Sequence, residues 1–277
     1  MDRTEAIVAG HYGSGRVMEG IRAALARACL GARAVTEADL KAVDEFHTGG
    51  AAATEALLEQ IEIGPGSRVL DLGCGIGGPA RTIAARHGAF VTGVDLTPEY
   101  VAAARELSAL VGLGDRTAFL QGSVAALPVA DGSADVALMQ HVGMNVSDKP
   151  ALFREAARAL APGGVFALFD VMAGPEAGPP AFPLPWAGAP ETSFVAPLEA
   201  YRAAAAAAGF VPRAERDRTE FARDFFRRLL DRLSREGPPP LGLHLLMGAD
   251  GRNKIANYLA ALEAGRLAPV EMIFARP

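Results

Sequence analysis

The feature that most constrains the fold is a glycine-rich turn between an aliphatic run and a helix-like stretch, SRVLDLGCGIGGPARTIAARHG, residues 67–88. The Pro-Gly pair before Ser67 and the aliphatic residues after it predict a turn followed by a short buried strand. Pro79 in the first turn and Gly88 at the end are the start and stop signals of a helix. A strand, a glycine loop and a helix in this order begin an α/β unit.

The same alternation continues as far as Met172. Strand-type segments AFVTGVDL, TAFLQGS, ADVALMQHV and VFALFDVM occur with helix-type segments PEYVAAARELSALVG and KPALFREAARALAPGG. Right-handed crossovers then predict a parallel sheet with helices on both faces. The proline- and glycine-rich segment that follows is longer than a simple connection between two elements, and it predicts a binding loop or lid.

These segments divide the chain into four predicted parts, and half of the 277 residues are apolar, enough for a sizeable core. An N-terminal helical cap covers residues 1–50, and a cofactor-binding core covers 51–172. A lid and substrate-binding segment, with the penultimate strand and helix, covers 173–245. A C-terminal helix and a last strand over 246–277 complete the sheet.

Charge and cysteine content narrow the classes of function. The 27 basic and 32 acidic residues form no long run of one sign, which argues against a dedicated nucleic-acid or membrane-surface binder. Cys29 and Cys74 cannot form a disulfide framework, and no Cys/His cluster has metal-ligand spacing, so no metal is expected. Because neither a signal-peptide pattern nor a membrane span is evident, we expect a cytoplasmic protein with a small-molecule substrate. A homodimer is compatible with the sequence but does not follow from it.

Two acids next to the glycines indicate which cofactor fits. The pattern Gly73-x-Gly75-x-x-Gly78 formally satisfies the dinucleotide fingerprint. However, Asp71 would place a negative charge beside a pyrophosphate, whereas it suits a cationic amine. Asp95 ends the next predicted strand, 20 residues past Gly75, where an acid can accept hydrogen bonds from ribose hydroxyls. A cofactor with a ribose and an ammonium group but no pyrophosphate is S-adenosylmethionine.

Over residues 46–172 the sequence resembles the class I S-adenosylmethionine-dependent methyltransferases. The resemblance rests on VLDLGCGIGG, VTGVDLT, FLQGSVAALPVADGSADVALMQHV and LAPGGVFALFDV, in this order. It implies a Rossmann-like α/β sheet with helices on both faces, an N-terminal helical cap and a lid inserted after the fifth strand. The residues that it implies for cofactor binding are Asp71 (methionine end), Gly73, Gly75 and Gly77 (backbone cradle), Asp95 (ribose), Leu96, Ser123 and Val124 (adenine faces) and His141 (near the transferable methyl group).

The segments FHTGG, DLGCGIGGPAR and QHVGMNVSDK resemble a narrower group, the sarcosine and dimethylglycine N-methyltransferases and the tocopherol and quinone C-methyltransferases. Methylation of an amine nitrogen in a small metabolite is slightly favoured. O- or C-methylation of a natural product or quinone-like acceptor is the alternative. Outside this class, a nicotinamide-dependent oxidoreductase or a non-catalytic cofactor-binding module is the alternative.

Candidate residues for the reaction follow from side-chain chemistry. Histidine can take a proton near neutral pH, and an aromatic face can receive a methylated cation. The candidate catalytic or gating residues are His141, His47, Tyr12 and His244, and the candidate substrate contacts are Trp186, Phe182, Phe194 and Met144. The structural alternatives are that HTGG caps the following helix and that Trp186 anchors the proline-rich loop to the core.

Overall fold

A computed structural model of the chain describes residues 3–13, 15–28 and 33–277; Cys29 lies outside these ranges. The helices are α1 (Arg3–Tyr12), α2 (Val17–Arg27), α3 (Glu37–Asp44), α4 (Ala51–Leu58), α5 (Gly78–His87), α6 (Pro98–Leu110), α7 (Lys149–Ala159), α8 (Leu198–Ala207), α9 (Thr219–Glu236), α10 (His244–Met247) and α11 (Gly251–Glu263). The strands are β1 (Arg68–Leu72), β2 (Phe90–Asp95), β3 (Thr117–Gln121), β4 (Ala134–Gln140), β5 (Leu160–Ala173), β6 (Val211–Asp217) and β7 (Leu267–Ala275).

The strands form one seven-stranded sheet in the order β3-β2-β1-β4-β5-β7-β6. β1 to β5 are parallel, as the alternation of strands and helices predicts, while β7 runs antiparallel to both β5 and β6. The sheet is therefore mixed. The strand order turns around between β1 and β4, and the crevice at the carboxyl ends of such strands is where doubly wound sheets bind ligands.

Helices cover both faces of the sheet because side chains along β1 alternate between two cores. Leu70 and Leu72 are buried in a cluster with Phe153 of α7 and residues of α8. Val69 points the other way, into a cluster with Leu57 of α4 and residues of α5 and α6. The predicted arrangement of the Rossmann-like class I fold, a central sheet with helices packed on both faces, is thus confirmed.

The N-terminal helices are tied to the core by buried polar contacts. The carboxylate of Asp44, at the end of α3, lies 2.5 Å from the guanidinium of Arg81 on α5, and both side chains are fully buried. On α6, Glu99 accepts hydrogen bonds from the backbone amides of Gly15 and Val17, at 2.7 and 2.8 Å. These contacts fix the end of α3 against α5 and the start of α2 against α6.

The proline-rich segment, residues 174–197, is packed against the C-terminal helices. Trp186 is buried, its ring lies edge-on to that of Tyr258 on α11, and its Nε1 donates to Ser193 at 3.0 Å. Asn257 donates to the carbonyl of Pro183 at 3.0 Å. Trp186 therefore anchors this segment to α11, which was the structural alternative. No helix within the described ranges is both long and apolar enough to cross a membrane.

Candidate cofactor and acceptor site

A cavity of about 380 Å³ opens where the strand order turns around, a volume in the range of small-molecule sites. It is lined by the residues that directly follow β1, β2, β3 and β4, and by α1, α9 and α11. The predicted site residues that line it are Tyr12, His47, Asp71, Gly73, Gly75, Asp95, Leu96, Ser123, Val124, His141, Met144 and Trp186. Four predicted site residues do not line it: Gly77, Phe182, Phe194 and His244.

Asp71 presents an unsatisfied carboxylate oxygen at this cavity. It lies near the end of β1, between Gly93 of β2 and Leu138 of β4, and only 2% of it is exposed. Its Oδ2 has no hydrogen-bond partner among the described residues. Burial, and then the negative charges of Asp95 and Glu45, raise the pKa of Asp71 to about 7. A cation placed beside Asp71 would satisfy the free oxygen and hold the carboxyl ionised.

The glycine loop brings bare backbone to the same place. Gly73 has a φ of +71°, and a Cβ there would lie 2.3 Å from Cγ2 of Val142, so only glycine fits. A Cβ on Gly75 would meet no atom within 4 Å, which leaves its backbone open to the cavity. Gly77 does not line the cavity, and a Cβ there would meet Phe119 and Arg81 at 2.8 and 2.9 Å; its part in the cradle stays a prediction.

Asp95 braces this loop from the end of β2. Its carboxylate accepts the backbone amides of Gly75 and Thr97, both at 2.8 Å, while burial raises its pKa. Leu96, Ser123 and Val124 line the neighbouring wall. The hydroxyl of Ser123 accepts the amide of Ala125 at 3.1 Å and so also shapes its own turn.

His141 follows β4 with a φ of +54°, an uncommon conformation for a residue other than glycine. Its Nδ1 lies 3.2 Å from the carbonyl oxygen of Phe169, which can only accept, so Nδ1 carries the hydrogen. Its Nε2 then accepts from Thr48, whose hydroxyl and amide lie at 2.7 and 3.3 Å. Burial, and then the nearby His47, lower the pKa of His141 to about 3. His141 is therefore neutral, with its basic nitrogen already engaged.

Tyr258 extends this arrangement from α11. Its hydroxyl lies 3.2 Å from the hydroxyl of Thr48, and both side chains are buried. The Thr48 hydrogen points to His141, so the hydrogen between the two hydroxyls belongs to Tyr258. Tyr258 is a site residue that the sequence analysis missed. Its only sequence signal is an aromatic position on an amphipathic helix, 210 residues away from Thr48.

His47, predicted as a candidate base, is held in a buried polar cluster at the cavity wall. Its Nε2 lies 3.1 Å from the hydroxyl of Thr54, 3.2 Å from Nε2 of Gln140 and 3.7 Å from the carboxylate of Glu45. Burial lowers its pKa despite the neighbouring carboxylate. These contacts indicate that His47 anchors the FHTGG segment, where the loop after α3 meets the end of β4.

Tyr12 closes the cavity from α1. Its hydroxyl accepts from Nδ2 of Asn145 at 2.9 Å, while Oδ1 of Asn145 has no partner within the described part of the chain. His244 begins α10 outside the cavity, where two leucines of that region, Leu243 and Leu246, reach the wall instead. Of the four candidate catalytic residues, His244 is therefore the one that does not line the cavity.

Unsatisfied polar atoms concentrate at this cavity. In the described ranges, four buried side-chain polar atoms lack a hydrogen-bond partner, and three of them belong to residues that line it: Asp71, Tyr100 and Asn145. The fourth is the hydroxyl of Thr219 on α9. Because buried polar groups in folded proteins are normally paired, this concentration indicates a site built for a ligand with polar groups.

A buried carboxylate organises the turn that carries Met144 and Asn145. Asp170 of β5 is fully buried, accepts the hydroxyl of Tyr201 at 2.7 Å, and leaves no room for a Cβ on Gly143. The backbone amide of Phe194 donates to the carbonyl of Met144 at 2.8 Å. Phe194 thus supports the turn through its backbone, and it does not line the cavity; its role as a substrate contact stays a prediction.

Besides further polar lining residues, among them Glu5, Gln140 and Asp148, the cavity has a large apolar wall, which we call the acceptor chamber. It consists of Val8, Phe46, Met144, Trp186, Phe225, Phe226, Leu229, Leu243, Leu246, Met247 and Ile255. Phe182 packs against the hydrophobic cluster that includes Met144 and Trp186 and does not line the cavity, and its role as a substrate contact stays a prediction. The chamber draws on α1, the loop after α3, the proline-rich segment, α9, α10 and α11.

Residues 70–168 match the family described as the methyltransferase domain. They include Asp71, the glycine loop, Asp95 and His141. Residues 70–168 are a methyltransferase domain. The match covers the parallel part of the sheet and leaves α1 to α4 and most of the chamber outside this methyltransferase domain.

Known proteins resemble parts of this chain. The methyltransferase GfsG of Streptomyces halstedii is 34% identical over 134 residues, which cover 48% of this chain and 48% of that protein. The chain thus spans about half of the length of this curated relative. A putative sarcosine dimethylglycine methyltransferase from Galdieria sulphuraria has the same fold, with a TM-score of 0.66 and 22% identity over 81% of this chain and 85% of that chain.

A third similar protein is known from a solved structure with bound ligands. It is a geranyl diphosphate C-methyltransferase from Streptomyces coelicolor A3(2), solved with Mg²⁺, geranyl-S-thiolodiphosphate and S-adenosyl-L-homocysteine. Its TM-score is 0.68, with 21% identity over 82% of this chain and 76% of that chain. The two solved structures confirm the predicted class I fold, and the domain match confirms the predicted recognition as a methyltransferase domain.

Proposed function

We propose that this protein transfers a methyl group from S-adenosylmethionine to a small molecule bound in the same cavity. The observation that carries the proposal is the unpartnered oxygen of Asp71, buried beside the open backbone of Gly75. An ammonium group, such as that of the methionine end, would satisfy this oxygen and favour its ionised form. Asp95 would accept the ribose hydroxyls with the lone pairs that the loop amides leave free.

The same residues fit a nicotinamide dinucleotide poorly. Its pyrophosphate would lie beside the carboxylate of Asp71, and the described residues lining the cavity include no Lys or Arg to offset the charge. Repulsion between like charges in a buried site is costly. The cavity chemistry therefore supports the cationic cofactor over the anionic one.

The chain's own contribution is alignment and exclusion of water. When bound, S-adenosylmethionine supplies a methyl group on a positively charged sulfur. The acceptor must lie in line with that methyl group, and alignment of two bound partners is a large part of catalysis for such displacements. Tyr12 on α1 and Trp186 in the proline-rich segment cover the cavity, which keeps bulk water from the reacting atoms.

The acceptor is proposed only as a small metabolite. Methylation of an amine nitrogen, slightly favoured by the FHTGG and QHVGMNVSDK segments, stays a prediction, as does O- or C-methylation of a natural product or quinone-like acceptor. A methyltransferase domain can also persist without activity, since fold alone does not establish function. Transfer of label from isotopically labelled S-adenosylmethionine to an acceptor separates an enzyme from such a module.

A matched pair of glycine substitutions tests the cofactor site. Gly75 and Gly112 have φ values of +54° and +74°, and a Cβ on either would meet no atom within 4 Å. Gly75→Ala and Gly112→Ala should each cost about 1 to 2 kcal/mol of stability through the left-handed conformation. Only Gly75 lines the cavity, so only Gly75→Ala should weaken binding of S-adenosylhomocysteine, by more than about tenfold, a loss of about 1.4 kcal/mol.

Calorimetric titration with S-adenosylhomocysteine and thermal unfolding of both variants give the two readouts. Similar melting temperatures with a selective loss of binding in Gly75→Ala support the proposal. Absence of binding to the wild-type protein, or equal binding by the two variants, contradicts it.

A further inference from the structure

The acceptor chamber carries no positive charge to receive an anion. Among the described lining residues there is no Lys or Arg, and burial keeps His47 and His141 neutral at neutral pH. Lys254 of α11 lies nearby, but its ammonium donates to the carbonyl of Met247 at 3.0 Å and it does not line the cavity. A carboxylate or phosphate entering the chamber would lose its hydration without gaining a cation, which is strongly unfavourable.

The chain of polar groups at the chamber wall has a fixed direction. Tyr258 donates to Thr48, Thr48 donates to His141, and His141 donates through Nδ1 to a backbone carbonyl. Every hydrogen in the chain therefore points away from Tyr258. The phenol oxygen of Tyr258 has only lone pairs left, so a further partner of this oxygen must be a donor. An O–H or N–H group meets that requirement, whereas a C–H or carbonyl group does not.

From these observations, and resting on the proposed function, we propose the substrate class. The acceptor chamber binds a mainly apolar molecule without negative charge through a hydroxyl group, and Tyr258, Thr48 and His141 take up the proton of that hydroxyl. The chamber's apolar side chains surround the body of the molecule. The directed chain receives its one polar hydrogen, which makes Tyr258 the group that touches the reacting oxygen.

The proton step balances with the groups at hand. The hydroxyl oxygen forms a bond to the methyl carbon and loses its hydrogen, while the sulfur of the donor keeps the electron pair of the bond that breaks. The proton passes to Tyr258 as the Tyr258 hydrogen passes to Thr48 and the Thr48 hydrogen passes to Nε2 of His141. The resulting imidazolium then returns the proton to solvent.

Acidity separates an oxygen from a nitrogen acceptor in this arrangement. A methylated hydroxyl that still holds its proton is an oxonium ion, a far stronger acid than any imidazolium, so it can protonate even the weakly basic His141. A methylated alkylamine holds its proton with a pKa near that of lysine, about 10.4. Such an ammonium would keep its proton rather than pass it to a histidine whose pKa is about 3. The hydrogen-bonded groups Tyr258, Thr48 and His141 can therefore accept the proton of a methylated hydroxyl but not that of a methylated alkylamine.

Four matched probes share one apolar ring system and differ in one substituent: 2-naphthol, 2-methoxynaphthalene, 2-naphthylmethylamine and 2-naphthoate. Their binding is measured by calorimetry on the protein saturated with S-adenosylhomocysteine. We expect 2-naphthol to bind about fivefold more tightly than 2-methoxynaphthalene, the effect of one neutral hydrogen bond, and at least tenfold more tightly than 2-naphthoate. Label from the methyl donor should reach 2-naphthol in preference to 2-naphthylmethylamine, which is an alkylamine.

The variants Tyr258→Phe and Thr48→Val test the chain itself. In Tyr258→Phe the ratio of 2-naphthol to 2-methoxynaphthalene affinity should fall to about one, because the hydroxyl loses its acceptor. A general distortion of the chamber would weaken both probes alike and leave the ratio unchanged. Thr48→Val should reduce kcat with little change in KM, since it interrupts the chain behind Tyr258.

The inference would be overturned if 2-naphthoate bound as tightly as 2-naphthol, or if the affinity ratio were unchanged in Tyr258→Phe. It would also be overturned if the methyl group went to the amine in preference to the hydroxyl, or if neither probe were methylated. Absence of probe binding to a protein that does bind S-adenosylhomocysteine would also overturn it. Failure to bind S-adenosylhomocysteine at all would instead refute the proposed function, so the two failures are distinguishable.

Discussion

The buried carboxyl of Asp71 should make cofactor binding depend on pH. Burial and the charges of Asp95 and Glu45 hold its pKa at about 7 in the free protein. An ammonium group bound beside it favours the ionised form and lowers that pKa. At a pH below 7, binding must therefore release a proton from Asp71, so affinity is fullest above pH 7 and declines as the pH falls.

The size of the effect follows from the fraction of Asp71 that is ionised. With a pKa of about 7, about half of the free protein carries the carboxylate at pH 7 and about one molecule in a hundred at pH 5. Affinity for S-adenosylhomocysteine, which keeps the ammonium group, should then fall about fifty-fold between these values, equivalent to about 2 kcal/mol. Asp95 contributes less, because its expected partners are neutral hydroxyls.

Calorimetric titrations at pH 5, 6 and 7, each in two buffers with different ionisation enthalpies, measure both the affinity and the protons released. About half a proton should leave per cofactor bound at pH 7 and nearly a full proton at pH 6. Asp71→Asn is the matched control, since it keeps the shape and removes the titration, and it should bind weakly with little pH dependence. Equal wild-type affinity at pH 5 and 7, or the same slope in Asp71→Asn, would refute the reasoning.

Three further predictions concern the elements that support the site. Asp44→Ala leaves Arg81 buried without its partner and should lower the free energy of unfolding in urea by about 3 to 5 kcal/mol, most of it regained in the double variant with Arg81→Met; a loss below about 1 kcal/mol contradicts this. Gly73→Ala should cost about 2 to 4 kcal/mol by the same assay, and Val142→Ala should recover part of that cost, because the new methyl group meets Val142. Glu99→Ala removes the acceptor of two backbone amides at the start of α2 and should cost about 1 kcal/mol in thermal unfolding, whereas Glu99→Gln should cost less.

The cofactor half of the site could be predicted from sequence because its signals are local. Asp71, Gly73 and Gly75 lie within one strand-loop-helix unit, and Asp95 ends the next strand, so secondary-structure patterns alone bring them to one edge of the sheet. The parallel order of β1 to β5 follows from the same alternation. The antiparallel direction of β7 does not, because it depends on a connection through α9 to α11 that carries no directional signal.

For predicting site residues, the type of a residue was less informative than its position at the end of a strand, and the histidines show why. Sequence identifies a side chain that can take a proton, but its partners are set by packing between distant segments. His141 has its basic nitrogen occupied by Thr48, His47 is held by Gln140 and its neighbours, and His244 lies outside the cavity. The packing of Gly77 against Phe119 of β3 likewise depends on a distant segment.

The acceptor half escaped sequence analysis because it is assembled from separate segments around the shared core. Thr48 precedes the methyltransferase domain, Tyr258 follows it, and only the fold brings their hydroxyls to 3.2 Å. Trp186, from the segment between β5 and α8, then packs edge-on against Tyr258 and closes the chamber beside it. Changes in these covering segments can alter the acceptor without disturbing Asp71 or the glycine loop. The identity of the acceptor is therefore a property of contacts between covering segments, and the test of it is the affinity ratio at Tyr258 rather than any motif of the core.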